Sequence, residues 1–343
     1  MRLFSFFTQE LAIDLGTANT LIIQDDQIVI DEPSIVAMDR MTGEVIAVGK
    51  RAMQMHEKTH ENIKTIRPLK DGVIADFKAA EALIQGLLSL IEDKRKFFTH
   101  LKMMICIPSG ITEVEKRAVF DSADHVDSKE TYLIYEPMAA ALGIGLDVEE
   151  PVGNMIIDIG GGTTEIAVIA LSGIVTNESI RTAGDEFTHE IVEFMKKNHN
   201  ILIGERTAER IKIAVGSALP ELDNPPDKLS VNGRDLISGI PKQVFTTYQE
   251  TAIALDKSIA KIETSILRAL EQTPPELASD IYKRGIYLTG GGALLRGLDK
   301  RISAKTRLSV HVAEDPLKAV VKGTGIALKN SKRYSFLIDR RSI

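Results

Sequence analysis

The sequence predicts an α/β protein of two related halves facing one another across a cleft. Three observations predict it. An apolar strand that ends in Asp-x-Gly and returns as a second strand occurs at Ala12–Ile23 and again, one domain length later, at Met155–Ile169. A third glycine-rich turn, Thr289-Gly290-Gly291-Gly292, follows the strand pattern Gly285–Leu288. Helical stripes fill the intervals between these strand groups. A repeat at that spacing is too long for a solenoid and reads as duplication of a whole supersecondary unit.

The elements follow in chain order. Ala12–Ile23 reads as a hairpin, and Ile28-Val29-Ile30 extends it to an antiparallel meander closed by Glu32-Pro33. Asp76 is placed to cap a helix carrying Ala80, Leu83, Ile84, Leu87, Leu88 and Ile91. Met103–Ile107 is a strand, Glu113–Ala123 and Pro137–Leu142 are helices, and Met155–Ile169 with Gly173–Asn177 repeats the meander. Helices are expected after Gly184-Asp185, from a cap at Thr207 through Ile211 and Val215, and along Ile259, Ile262, Ile266 and Leu270 up to Pro274-Pro275. Val231-Asn232-Gly233-Arg234 carries an Asn-Gly hairpin signal.

Composition narrows the function. At 343 residues the chain has room for about two domains. With 44% hydrophobic and 26% charged residues it has the balance of a folded globular protein rather than a disordered one. Lys and Arg total 42 against 48 for Asp and Glu, a net charge of −6, which argues against a nucleic-acid partner. The single cysteine, Cys106, excludes an intrachain disulfide and a cysteine zinc cluster and fits a reducing compartment. No apolar run reaches the ~18–20 residues of a spanning helix. The segment Met1–Phe7 is too short for a secretory core. A cytoplasmic chain, with peripheral membrane contact open, is the expectation.

The glycine-rich turns carry the chemistry. A phosphate chain needs backbone N–H donors at close range and no Cβ in the way. Gly16, Thr17, Ala18 and Asn19 form one such turn, and Gly160, Gly161, Gly162 and Thr163 the other. Each follows an aspartate at a strand end, Asp14 or Asp158. Those two carboxylates suit Mg2+ held largely through water. No Gly-x4-Gly-Lys-Ser/Thr and no complete Gly-x-Gly-x-x-Gly occurs, so neither a P-loop nor a dinucleotide fingerprint is present.

These segments resemble those of the actin-like ATPase superfamily. They are Asp14–Thr20, Tyr135–Ala141, Asp158–Glu165, Leu288–Leu294 and Lys322–Ala327. Ile66–Asp76 and Ile203–Glu209 make the likeness closest to the MreB family of bacterial actin homologues, from about residue 9 to about 335. The resemblance implies two duplicated ribonuclease-H-like domains around a nucleotide cleft, each with a smaller subdomain. Domain I would span 1–145 plus 315–343, with its subdomain at about 34–66. Domain II would span 146–314, with its subdomain at about 182–246.

ATP with Mg2+ would bind between them. Glu136 would orient the attacking water, helped by Thr163 and Asp158. As the residue before Pro137, Glu136 is expected to be presented on a loop. Glu209 and Lys212, on one helix face, would bind the nucleotide, with Glu209 accepting hydrogen bonds from the ribose hydroxyls. Gly290, Gly291, Gly292, Ala293 and Leu294 would take the adenine. One departure stands out: Thr188 occupies a position where the family pattern Gly-Asp-x-x-Asp has a carboxylate, which puts that role in doubt. The implied protein is a slow ATPase and a homopolymer of paired protofilaments. It would lie on the inner face of the cell membrane and maintain rod shape with cell-wall elongation and shape-determining membrane proteins. A small-molecule kinase of the same superfamily is the alternative.

Two weaker signals remain. His56-Glu57-Lys58-Thr59-His60 matches a zinc-protease pattern but has no evident third ligand and polar surroundings, so a solvated helix or loop face is the reading. Leu3, Phe4, Phe6 and Phe7 at the N-terminus, and Phe97 and Phe98 after Lys94-Arg95-Lys96, pair aromatic with basic residues in a way that suits an anionic bilayer surface. Docking on the core is the competing reading of the first, and aromatics that begin a core strand that of the second.

Overall fold

The computed structural model describes residues 8–91, 100–126 and 128–340. Two main sheets dominate it. The first has six strands in the order Ile338–Arg340, Ser128–Tyr135, His100–Ile107, Thr8–Leu15, Asn19–Gln24, Gln27–Pro33. The second has five, in the order Gly173–Ile180, Thr164–Ala170, Asn154–Ile159, Ile286–Thr289, Val310–Val312. In each, an antiparallel three-strand meander is extended from its first strand by two parallel strands. The sequence repeat is therefore a repeat of topology, and the two units are called the first and second lobe below.

A three-stranded sheet is inserted into each lobe between the meander and the first parallel strand. In the first lobe it comprises Val36–Asp39, Val45–Val48 and Ile63–Ile66, and in the second Ile201–Leu202, Leu229–Asp235 and Pro241–Thr246.

Local chemistry explains the elements that frame the cleft. The helix Phe77–Ser89 starts where the Asp76 carboxylate accepts the Ala79 N–H at 3.0 Å, a cap worth about 1 kcal/mol. It buries Ala79, Ala80, Leu83, Ile84 and Leu87 against the first sheet. Tyr248–Gln272 begins with a capping box between Thr247 and Glu250 and ends before Pro274. Helices Glu136–Gly143 and Ala319–Lys329 carry the chain between the lobes and pack in a core shared by both sheets, with Ala12, Met104, Ile134, Ile156 and Ala167. They cross with backbones touching. A Cβ at Gly143 would collide with the Ala319 carbonyl, and one at Gly323 with the Ala139 carbonyl.

Three local expectations are corrected. The Asn-Gly pair does not turn: Gly233 sits mid-strand opposite Lys242. A Cβ there would meet Ile201 Cγ1 at 2.8 Å, so the glycine admits the neighbouring strand. The chain reverses three residues later, where the Asp235 carboxylate accepts the N–H groups of Ile237 and Ser238 at 2.9 and 2.8 Å and holds the turn itself. Thr207 is not a cap, because its helix already starts at Glu205 with Gly204 as N-cap. Glu136 is not on a loop. It is the first residue of a helix, because Tyr135 ends its strand in register with Ile107 and Pro137 falls in the first turn, where no N–H is needed.

Candidate nucleotide cleft

The two glycine turns meet face to face. A Cβ at Gly161 would lie 2.8 Å from Ala18 Cβ, and one at Gly162 would lie 2.6 Å from Thr17 Oγ1. Each turn has its own brace. In the first lobe Ser34 donates from Oγ to the Gly16 carbonyl at 2.6 Å and from N to the Ala18 carbonyl at 2.9 Å. In the second, the first backbone N–H groups of helix Gly184–His199 serve: Gly184 donates to Gly160 O at 3.1 Å and Asp185 to Gly161 O at 2.8 Å. Asp71 and Gly72, both with left-handed backbone, lie against the same point. Gly72 N donates to Thr17 Oγ1 at 3.1 Å, and a Cβ there would meet Thr163 Cγ2 at 2.7 Å.

Behind the turns lies a group of carboxylates, Asp158 and Glu165 buried and Asp14 and Glu136 partly buried. Cys106 Sγ donates to Asp14 Oδ1 at 3.3 Å, and Thr289 Oγ1 donates to Asp158 Oδ1 at 2.8 Å. Burial pushes Asp14 up to about 6, with the Cys106 contact opposing it. Burial pushes Asp158 up to about 7 against the Thr289 hydrogen bond, with Asp14 and Glu165 adding repulsion. Glu136 is raised well above the usual carboxylate range by burial and then by the charges of Glu165, Asp158 and Asp14.

Glu165 is the residue that sequence reading gave no role. Its side chain is fully buried in the strand Thr164–Ala170. It accepts hydrogen bonds from Ser179 Oγ at 2.6 Å and, from the other lobe, from Ser109 N at 3.0 Å and Ser109 Oγ. The signal available was a lone charge inside an otherwise apolar strand.

The third turn packs on the second. Gly290, at φ +78, would place a Cβ 2.9 Å from Asp158 Oδ1, and a Cβ at Gly292 would meet Ile159 Cβ at 2.7 Å. Gly291 faces Leu317, Ala293 is buried and Leu294 is exposed. Glu209 and Lys212 pair at 2.7 Å. Thr188 joins them: its Oγ1 lies 2.8 Å from Glu209 Oε2 and accepts from Lys212 Nζ at 3.0 Å, while Lys212 also donates to Gly184 O at 2.8 Å. The hydroxyl thus links the Glu209–Lys212 pair to the helix that braces the second turn. A cavity of about 460 Å³, of ordinary ligand-site size, opens beside Glu209 and Thr188 and reaches Met53, Glu57 and Arg67 of the first lobe.

Other sequence expectations fall elsewhere. Leu3, Phe4, Phe6, Phe7, Phe97 and Phe98 lie outside the described residues. The helix Gly49–Met55 stops before His56, whose Nδ1 faces Thr65 Oγ1 at 2.8 Å, so the two histidines do not share a helical turn. No trio of His, Cys, Asp or Glu among the described residues is arranged to hold a metal directly, and none of the described helices is long and apolar enough to cross a membrane.

Twin meanders closing on a cleft between glycine turns define the actin-like ATPase fold, and solved structures agree. The chain matches MreB 5 of Spiroplasma citri bound to AMPPNP at a TM-score of 0.90, with 38% identity over 96% of this chain and 98% of that one. It also matches the chain of a MamK double helical filament at 0.77 with 21% identity, covering 95% and 99%, a likeness of fold. The MreB/Mbl protein model matches residues 8–335, and the chain belongs to that family. It is 46% identical over 325 residues to the cell shape-determining protein Mbl of Bacillus subtilis, covering 94% of this chain and 97% of that protein. To the cell shape-determining protein MreB of Escherichia coli it is 47% identical over 328 residues, 94% of each.

Proposed function

We propose that this chain is an ATP-hydrolysing, actin-like cytoskeletal protein whose membrane-bound filaments maintain rod shape by organising cell-wall synthesis. The observation that carries the nucleotide reading is the meeting of Gly161 and Gly162 with Ala18 and Thr17 in front of Asp14 and Asp158. Membership of a family of cell shape-determining proteins carries the cellular role and sets aside the small-molecule kinase alternative. Domain I is taken as 1–145 with 315–343, and domain II as 146–314.

The backbone N–H groups of the two turns would hold the triphosphate, with Glu209 and Lys212 at the ribose and the third turn at the base. Asp14 and Asp158 are oxygen donors whose burial favours a nearby positive charge, which fits Mg2+ held through water. A bound magnesium ion supplies neutralising charge to the phosphates. Glu136 orients the attacking water and takes its proton, for which a carboxylate more basic than usual, raised by burial and neighbouring carboxylates, is suited. Thr163, held against Gly72, fixes the water's position. Hydrolysis by positioning and electrostatics then shifts the population of lobe arrangements and so the state of a head-to-tail polymer.

ATP-dependent sedimentation, with electron microscopy on an anionic lipid monolayer, tests the reading. Filaments with ATP and magnesium are expected, and ATP turnover that needs a small-molecule acceptor without any polymer would overturn it. Deleting Arg2–Phe7 and replacing Phe97 and Phe98 by Ser is expected to abolish liposome cosedimentation while sparing nucleotide binding. Many weak contacts along a polymer give the avidity one copy lacks.

A further inference from the structure

The helix Glu205–Val215, which carries Glu209 and Lys212, begins after Gly204, and its N-cap residue has no side chain to satisfy the free N–H groups of the first turn. The acceptor comes from the other lobe. Glu57 Oε1 accepts the Glu205 N–H at 3.0 Å. Two independent features accommodate that contact. Glu57 adopts left-handed backbone, φ +62, which a non-glycine residue seldom does without reason. A Cβ at Gly204 would collide with the Glu57 carboxylate, so glycine is what lets the carboxylate in. The Glu205 carboxylate in turn lies 3.5 Å from His56 Nε2 and 3.8 Å from Arg67 of the first lobe.

We propose that Glu57 is a positioning residue that retains bound nucleotide by capping, from the opposite lobe, the helix that holds the ribose end. The proposal rests on the nucleotide reading of the cleft. A carboxylate at a helix N-terminus is favoured by the exposed N–H groups and by the helix dipole. Glu57 reaches that position only with the two small sheets drawn together, so the cap exists only in the closed cleft. Opening the mouth leaves the helix end uncapped. Nucleotide release therefore has to break this bond, and the energy of a local helix cap is spent on holding two lobes together.

Gly204→Ser separates this role from helix stability. The Gly204 backbone, φ −82 and ψ 166, suits a serine cap, so the hydroxyl would satisfy the helix from within while its Cβ displaces Glu57. The measurement is release of mant-ADP from preloaded protein chased with unlabelled ATP, alongside the thermal midpoint. Glu57→Ala is expected to speed release about tenfold and to lower the midpoint, the size expected for one charge-assisted hydrogen bond. Gly204→Ser is expected to speed release to a similar degree with the midpoint at or above that of the unmodified protein. Release at the unmodified rate from folded Gly204→Ser overturns the proposal. Failure of the unmodified protein to retain mant-ADP would overturn the nucleotide reading itself, and this proposal with it.

Discussion

The two lobes share a topology but differ in how each fastens its glycine turn. In both, an aspartate ends the first strand of the meander and is hydrogen-bonded from the next parallel strand, by Cys106 to Asp14 and by Thr289 to Asp158. A thiol is a weak donor and a hydroxyl a strong one, so the same position is held loosely in one lobe and firmly in the other. The braces differ more. Ser34 fastens the first turn to its own sheet, whereas the second turn is fastened to a helix that reaches the Glu209–Lys212 pair through Thr188. Duplication supplied two similar turns, and divergence fastened one to its own sheet and tied the other, through a helix, to the Glu209–Lys212 pair.

Glu136, the proposed catalytic carboxylate, is the sharpest asymmetry, since it follows a strand of the first sheet alone. Glu136→Ala should slow phosphate release by about a hundredfold or more, with ATP affinity within about twofold. Large affinity loss with unchanged turnover would refute the role. The paired aspartates should next appear in the pH dependence of stability. Both are raised above the value near 3.8 they have when unfolded, so the native state binds protons that the unfolded chain has released. Without nucleotide or metal, thermal stability should therefore fall as pH rises from about 4 through 6 and 7. Replacing Asp14 and Asp158 together by Asn should lessen that slope, leaving the part due to Glu136 and Glu165, which are also raised.

The two donors can be compared directly. Thr289→Val should cost about 1–3 kcal/mol by leaving Asp158 without its partner, and Cys106→Ala under about 1 kcal/mol. Equal losses in denaturant unfolding would remove the distinction between the lobes. The smallest effect is expected at the ribose end. Thr188→Val should weaken ADP binding about threefold in a titration by cutting the link from Glu209 to the braced helix.

Much of this was legible in the residues. Repeated Asp-x-Gly turns announced both meanders, because a strand buried on both faces is an apolar run and a tight reversal needs small residues. Asp76 and Pro274 marked helix ends, the first through capping chemistry and the second through the lost N–H of proline. What failed was local grammar overruled by neighbours distant in sequence. Gly233 looked like a turn residue and is a strand residue that makes room for Ile201. Glu136 looked non-helical before Pro137, and the strand end set by Ile107 decided otherwise. Thr188 looked like a loss, and the structure gives its hydroxyl both Glu209 and Lys212 as partners. Contacts across the cleft, such as Ser109 with Glu165, leave no periodic trace to read.

The crossing at Gly143 and Gly323 sets how the lobes can travel. Two rods whose main chains touch at one place can roll about it, but they cannot be pulled apart or slid without bulk entering the gap. The pair acts as a fulcrum behind the cleft, and the inserted sheets are the long arms. A rearrangement of fractions of an ångström beside the glycine turns would become a wider swing at the arm tips. The closeness of that pivot thus depends on two missing methyl groups.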